Sequence, residues 1–370
     1  MVNNFALRRN LEDNGEEMCA IQDDKLNSKF VRRGLVLVFI ILLFDIIAIA
    51  VVSPVLPEYF AQLTGKNISA SFIERGRLLV AYSAMQFLFA PIIGNLSDHY
   101  GRRPILLISI MSLAFDNIIC AIAWNYPMLF IGRLFSGMSG VSFVTCTAYL
   151  ADISNDKTRT RNFGLLGIAS GLGFVLGSFL GGFLSQFGLR VPFYFAVGFS
   201  VVNFIFAWIM LPETLPMRKR RSFDMKRANP LGTFLQLKQY PTVLWILLVF
   251  FLYWFAESVW LSTWAFIAKE RYNWNSFSIG ISYSVFGIGQ IIVVALIFPY
   301  FSKRWSNWHI VMLGFFLHRL LCLATHLQRK GGWFMWFLHV QCLNILFMHL
   351  CVLSLQNRCR KMYKENCRVQ

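Results

Sequence analysis

Long apolar runs separated by short polar turns recur along this chain. Most of the runs reach about 20 residues, the length that an α-helix needs to cross a bilayer. They do not alternate with polar residues as membrane-spanning β-strands do. The pattern therefore predicts an all-α polytopic membrane protein. The predicted helices cover residues 34–59, 77–95, 104–124, 127–151, 163–187, 192–211, 241–264, 275–300, 308–327 and 333–355.

Positive charge is concentrated in every second turn between these helices. Arg102 and Arg103 follow the second predicted helix, whereas the turn at 125–126 is uncharged. Because cytoplasmic loops are rich in Lys and Arg, we expect a cytoplasmic N-terminus. The net charge of +17 then reflects membrane orientation and predicts no nucleic-acid partner. Residues 1–33 are polar and rich in carboxylates, which predicts a disordered cytoplasmic tail and no cleaved signal peptide.

One long polar interval divides the chain after six predicted helices. Two helical bundles joined by a basic cytoplasmic linker are typical of transporters built from parallel repeats. The predicted organisation is an N-terminal tail, a six-helix bundle, a linker, a partial second bundle and an atypical tail. Their bounds are 1–33, 34–211, 212–240, 241–316 and 317–370.

Several polar side chains lie inside the apolar runs. Asp45 and Asp116 fall near the middle of the first and third helices. A carboxylate there costs about 2.5–3.5 kcal/mol on insertion scales, so each should face a cavity or a partner. Arg133 lies about 10 Å inside the fourth helix, at a rise of 1.5 Å per residue, where it is able to pair with a carboxylate. We interpret these three as a proton or substrate pathway, with structural pairing as the alternative.

Two further residues are weaker candidates for the same pathway. Glu257 lies among tryptophans of the seventh helix, where it is suited to a cationic or aromatic substrate. Those tryptophans also suit a packed core or an interfacial anchor. Gln86 is a candidate hydrogen-bonding residue of the cavity, or a contact between helices. Both residues remain hypotheses from the sequence.

The turn from Gly94 to Pro104 combines glycines with charge. Gly94 and Gly101 supply permissive backbone for the bends of a short turn. Asp98 stands beside Arg102 and Arg103, which gives the turn the basic balance of a cytoplasmic hairpin.

Glycines also recur along the fifth predicted helix. Gly173, Gly177 and Gly181 repeat every four residues, and Gly182 follows them. Such spacing leaves a flat ribbon that lets another backbone approach closely. A sliding surface for conformational change is the other interpretation of this ribbon.

These motifs together resemble those of the major facilitator superfamily. Gly94–Pro104 is similar to its signature loop, and Leu129–Gly137 is similar to its arginine motif in helix four. Gly173–Gly182 resembles the glycine motif of the antiporters, although Ser178 stands where proline is usual. Asp45, the Ser53–Pro57 segment and Asp116 resemble the tetracycline/proton antiporter branch, as does Leu211–Thr214 at the end of helix six. The likeness extends from about residue 34 to Gly314 and is most specific in the first six helices.

The resemblance implies a fold of two six-helix bundles around a central cavity. It implies that Asp98, Arg102 and Arg103 form a cytoplasmic latch between the bundles and that Arg133 takes part in proton coupling. Residues 45, 86 and 116 are expected to face the cavity.

The implied function is proton-coupled efflux of a tetracycline-like molecule by alternating access. The expected protein is a multi-pass monomer of the bacterial inner membrane. Its partners are lipid, substrate and protons, and a proton gradient supplies the energy in place of a cofactor. The alternatives are an uncoupled or metabolite transporter and an inactive truncated copy. An enzyme is disfavoured, because the chain has no zinc-protease, serine-hydrolase or nucleotide-cradling motif.

The composition changes near the end of the chain. Five of the six histidines and five of the eight cysteines lie after Trp308, and no glycine follows Gly332. Codons for Thr325–Phe334, read two bases out of register, permit a run that resembles the family's tenth helix. We therefore hypothesise a frameshift between about Gly314 and His318, with an ordinary divergent tail as the alternative. The gene's nucleotide sequence decides between them, and no metal site is expected from these histidines.

Overall fold

The computed structural model of the chain describes residues 31–140, 142–154, 158–215, 217, 220–222 and 241–292. Helices dominate this part of the chain, and six helical segments are long and apolar enough to cross a membrane, with 31–64 and 126–152 each counted as one segment. The predicted all-α membrane fold is therefore confirmed. The predicted helices at 308–327 and 333–355 and the proposed frameshift lie outside the described residues.

Ten α-helices and two short 3₁₀ turns follow one another along the described chain. The first half holds eight of the helices, and α9 and α10 belong to the second half. The helices are α1 (31–50), α2 (Leu56–Thr64), α3 (Ile68–Tyr100), α4 (Arg102–Ile122), α5 (Tyr126–Ser139), α6 (Ser142–Asp152), α7 (Arg159–Leu184), α8 (Val191–Met210), α9 (Pro241–Tyr272) and α10 (Ser276–Ile292).

Two predicted helices are each divided in the structure. The predicted helix 34–59 is interrupted by a 3₁₀ turn at Ser53–Val55, and α2 follows with Pro57 near its start. Proline lacks an N–H, so it is tolerated in the first turn of a helix but not in its interior. The predicted helix 127–151 breaks at Gly140, which separates α5 from α6.

The structure places Gly94 in helix α3 and not in the predicted turn. This glycine lies inside the helix, which continues to Tyr100, so the bend predicted there is wrong. The break is confined to Gly101, whose φ of 110° requires glycine. Helix α3 also begins at Ile68 rather than at residue 77, because the Asn67 side chain accepts a hydrogen bond from the Ala70 amide at 2.9 Å.

The turns between the helices lie at two opposite ends of the molecule. The Gly65 end holds the turns at Gly65, Asn125 and Asn273, and the charge pattern predicts that it faces outside. The Gly101 end holds the α3–α4 break and the ends of α6 and α8. Helix α4 packs against α5 and α8, α3 packs along α5, and α7 packs along α10. The α7–α10 contact therefore joins the two halves.

Candidate functional site

An ion pair between α4 and α5 lies at the centre of the candidate site. Arg133 Nη1 lies 3.0 Å from Asp116 Oδ2. The aspartate side chain is 3% exposed and the arginine side chain 28%, so the pair is partly exposed on its cationic side only. The Cys120 side chain, one turn along α4 from Asp116, also contacts the guanidinium. The structure thus brings together two of the predicted site residues.

Close packing of α4 against α5 holds this pair in place. A Cβ added to Gly132 would lie 2.9 Å from Ile119 Cγ2, so only glycine allows the two helices to approach so closely. On the other side of α4, Asn117 Nδ2 donates to Ser200 Oγ of α8 at 3.5 Å. Asp116 is therefore fixed on a helix that is held from both sides.

Gln86 lies beside the same pair, on α3. Its side-chain amide donates to the Gly140 carbonyl at 2.7 Å and lies 3.5 Å from the Tyr82 hydroxyl. The Gly140 carbonyl is able to accept because the helix breaks there. Tyr82 is also near enough to Asp116 and Arg133 to interact with their charges. Gln86 thus belongs to the polar surroundings of the pair.

Asp45 forms a separate polar cluster inside the first half. Asn203 of α8 donates to its Oδ1 at 2.8 Å and to the Ile41 carbonyl at 3.1 Å. The Ser142 side chain also hydrogen-bonds this carboxylate. The residue is 2% exposed, so it does not open onto a water-filled cavity in this conformation. Asp45 is expected in the cavity from the family resemblance, whereas the structure pairs it with α8 and α6.

Glu257 lies on α9, and its side chain falls outside the described residues. Its suggested role in holding a substrate therefore stays a prediction.

The charged residues at the Gly101 end bond to one another and to nearby helix ends. Arg102 Nη1 lies 2.8 Å from Asp98 Oδ1, and its Nε lies 3.0 Å from Asp152 Oδ2 at the end of α6. Arg103 Nη2 donates to the Trp208 carbonyl at 2.5 Å. These partners belong to the first half. The predicted role of these residues as a latch between the bundles stays a prediction.

Glu213 caps the start of α4 at this end. Its carboxylate accepts from the amides of Arg102 and Arg103 at 2.9 and 3.2 Å, and from those of Thr214 and Leu215 at 3.0 Å. A carboxylate at a helix N-terminus satisfies free amides and faces the positive end of the helix dipole. In the sequence, Glu213 stands out only as part of a family motif, which gives no sign of this cap.

The glycine ribbon of α7 packs on the backbone of α1. A Cβ on Gly173 would lie 3.0 Å from the Leu43 carbonyl oxygen, and one on Gly177 would lie 2.8 Å from that of Ile47. Gly181 meets the backbone in the same way at Val51, the residue that follows the end of α1. These contacts fit the close packing expected of the ribbon.

Another face of α7 meets the second half. A Cβ on Gly280 would lie 2.8 Å from the Cα of Gly182, so α7 and α10 touch through two glycines. Ser284 Oγ donates to the Val175 carbonyl at 3.0 Å. Helix α7 also continues through Ser178 without a break. Gly182 therefore belongs to the contact between the halves.

The two halves also meet at the Gly65 end, through residues that the sequence analysis did not single out. Lys269 of α9 forms an ion pair with Glu58 of α2. Arg75 donates to the Ser262 carbonyl and stacks on Phe266 at 5.4 Å from its ring centroid. The sequence signal was present: charges at 74–77 lie just before the predicted start of the second helix. The apolar pattern starts this helix at residue 77, nine residues after Ile68, and so leaves Arg75 in a loop.

Comparison with known proteins identifies the family. The sequence profile of the Major Facilitator Superfamily matches residues 38–362 and so continues past Gly314. The class H tetracycline resistance protein of Pasteurella multocida is 30% identical over 300 residues, covering 79% of this chain and 73% of that protein. The class C protein of Escherichia coli is 32% identical over 270 residues, covering 73% and 67%.

Solved structures share the fold. The human organic anion transporter MFSD10 superposes with a TM-score of 0.68 at 23% identity, covering 88% of this chain and 85% of that one. The xylose transporter XylE of E. coli gives 0.65 at 15% identity, covering 88% and 87%. At these identities the likeness supports the fold and does not indicate which substrate this chain transports.

Proposed function

We propose that this chain, which belongs to the Major Facilitator Superfamily, exports a small tetracycline-like molecule in exchange for protons. Membership makes it a multi-pass membrane transporter and not an enzyme. The tetracycline resistance relatives support the substrate class. They also support a place in the bacterial inner membrane, with the N-terminus in the cytoplasm by the charge pattern.

The Asp116–Arg133 pair is the observation that carries the proposal. A carboxylate within a membrane bundle is costly and is most often part of an ion or proton path. One oxygen of Asp116 contacts Arg133, and within the described residues the other has no hydrogen-bond partner. A proton on that second oxygen would cancel the charge of Asp116 and release the guanidinium.

Release of the guanidinium offers a physical route to coupling. Arg133 lies on α5, close to Gly140, where this helix breaks before α6. Tyr82 of α3 touches the glycines beside this break, since a Cβ on Gly140 would lie 2.8 Å from its hydroxyl. A change in the charge of Asp116 would therefore act on three helices at one point, and alternating access needs such a shared element.

Transport in vesicles tests the proposal. Everted vesicles with an acidic interior should accumulate labelled tetracycline when they contain the parent chain, because protons leave as the substrate enters. Asp116→Asn keeps the size of the side chain but removes its charge, so accumulation should fall to that of empty vesicles. Glu270→Gln, an exposed carboxylate on α9, should leave accumulation unchanged.

The same assay separates the alternatives. Tetracycline movement that ignores collapse of the pH gradient would indicate an uncoupled transporter and contradict the proposal. No movement by well-expressed parent chain would favour a metabolite transporter or an inactive copy. Equal accumulation by the parent and Asp116→Asn would remove the ion pair from the mechanism.

A further inference from the structure

Arg75 occupies an unusual place between the two halves. It lies on α3, seven residues before Tyr82 and eleven before Gln86. Both spacings are close to a whole number of helical turns. The three side chains therefore share one face of α3, the face that meets α5 and Arg133. Arg133 is close enough to Arg75 for the two positive charges to interact. Arg75 thus extends the polar surface of the candidate site toward the Gly65 end.

The nearby carboxylates are committed to other cations. Glu74, its neighbour in sequence, pairs with Lys66 at 2.8 Å and with Arg77 at 3.0 Å. Glu58 pairs with Lys269, and Asp116 pairs with Arg133. Among the described residues, Arg75 forms no ion pair. The five cations in this region, with Arg75 among them, therefore exceed the three carboxylates by two, and Arg75 is the one that no described carboxylate contacts.

The contacts that Arg75 does make leave most of its hydrogen-bonding capacity unused. A guanidinium has five N–H donors, and within the described part of the chain one of them donates to the Ser262 carbonyl. A carbonyl and an aromatic ring are weaker partners for a cation than a carboxylate is, because a carboxylate accepts two parallel, charge-assisted hydrogen bonds.

Aromatic side chains from both halves surround this cation. Phe72 of α3 packs edge-on against Phe266 of α9, with the ring centroids 5.2 Å apart. Tyr283 of α10 is buried and near enough to interact with the charge of Arg75. Flat apolar surfaces around one charged group are typical of sites for small aromatic ligands.

We propose that Arg75 is the anion-binding residue of the substrate site and that the transported molecule carries a carboxylate or enolate beside a flat ring system. This inference rests on the function proposed above, since it names the substrate class of that transporter. It differs from a purely structural role, in which Arg75 would serve only to tie α3 to α9.

Binding of two matched dyes tests the inference without any proton gradient. Fluorescein is an anion at neutral pH, and rhodamine 6G is a cation with the same ring system. Fluorescence anisotropy with the purified full chain in detergent should show tighter binding of fluorescein. Arg75→Gln should weaken fluorescein about 10- to 100-fold, the range expected for a lost charged hydrogen-bonded contact, and leave rhodamine 6G unchanged or tighter. Arg75→Lys should retain part of the preference.

Lys269→Gln is the matched control, since it also removes a cation that bridges the halves. Its charge is already paired, so fluorescein affinity should change by less than about fivefold. Preference of the parent for rhodamine 6G, or equal fluorescein binding by parent and Arg75→Gln, would overturn the inference. Parallel loss of both dyes would assign Arg75 a structural role. If Arg75→Gln does not fold, the inference is tested by whether the parent prefers fluorescein and Arg75→Lys retains part of that preference.

Failure of this inference is distinguishable from failure of the proposed function. Dye binding in detergent needs no proton gradient, so an uncoupled transporter would still prefer fluorescein. Conversely, a proton-driven exporter that binds rhodamine 6G more tightly would refute the inference alone.

Discussion

Among the described residues, the two ends of this molecule are held by different kinds of contact. At the Gly65 end, α9 of the second half bonds directly to α2 and α3 of the first, through Lys269–Glu58 and Arg75–Ser262. At the Gly101 end, Arg102 bonds to Asp98 and Asp152 of its own half. The first set joins the halves, whereas the second holds one half together.

The linker adds to this contrast. The Arg221 amide donates to the Asp98 carbonyl at 3.1 Å, and the His99 ring lies 2.9 Å from the Arg221 carbonyl. The first residues of the linker thus lie on the Gly101 end of the first half. In this conformation the direct contacts at the Gly65 end are the ones that must break for the halves to separate there, since alternating access exchanges one closed end for the other.

The largest expected effect is at the break itself. Gly101→Ala would place a Cβ against the Glu213 carboxylate, and its φ of 110° is strained for any other residue. We expect a loss of about 1–3 kcal/mol in stability, measured as earlier thermal unfolding in detergent. Gly94→Ala is the control in the same motif, because nothing lies within 4 Å of its added Cβ. Equal effects at both positions would contradict the break at Gly101.

A smaller effect is expected from the cap on α4. Glu213→Gln would turn an N–H donor toward at least one of the amides that the carboxylate now accepts from, which should cost about 0.5–2 kcal/mol. Chemical denaturation in detergent measures this cost, with the exposed Glu270→Gln as the reference. No difference between the two variants would show that Glu213 does not stabilise the Gly101 end.

The smallest effect is expected at the Gly65 end. Both side chains of the Glu58–Lys269 pair remain about a quarter exposed, so a double-mutant cycle with Glu58→Gln and Lys269→Gln should give a coupling of about 0.2–1 kcal/mol. Such a weak contact is suited to repeated breaking during transport. A coupling as large as the effect of Glu213→Gln would remove the contrast between the two ends.

Sequence patterns predicted where the helices lie, but they missed breaks within helices and side-chain contacts between them. Apolar length located the spans, and family motifs located Asp116 and Arg133, which the structure joins. The pattern missed the division at Gly140, which lies against Tyr82 of a different helix, a contact that no local pattern contains. It also missed Asn203 as the partner of Asp45, since a lone asparagine in an apolar helix does not reveal which neighbour it will meet.

At Gly94–Pro104 the polar composition predicts a longer turn than the structure contains. The polar residues of this segment are typical of a loop, yet those before Gly101 continue α3, and Asp98 pairs with Arg102 of α4 across the break. Only Gly101 needs the backbone freedom that the sequence assigned to both glycines. Its contact with Glu213 joins residues 112 positions apart, which no local pattern contains.

Proton movement is the most direct test of the central claim that Asp116 and Arg133 couple transport to protons. Liposomes that contain the full chain and trapped pyranine report internal pH when tetracycline is added outside. We expect a pH change with the parent chain and none with Asp116→Asn, while Glu270→Gln behaves as the parent does. The same pH change in the parent and in Asp116→Asn would contradict it.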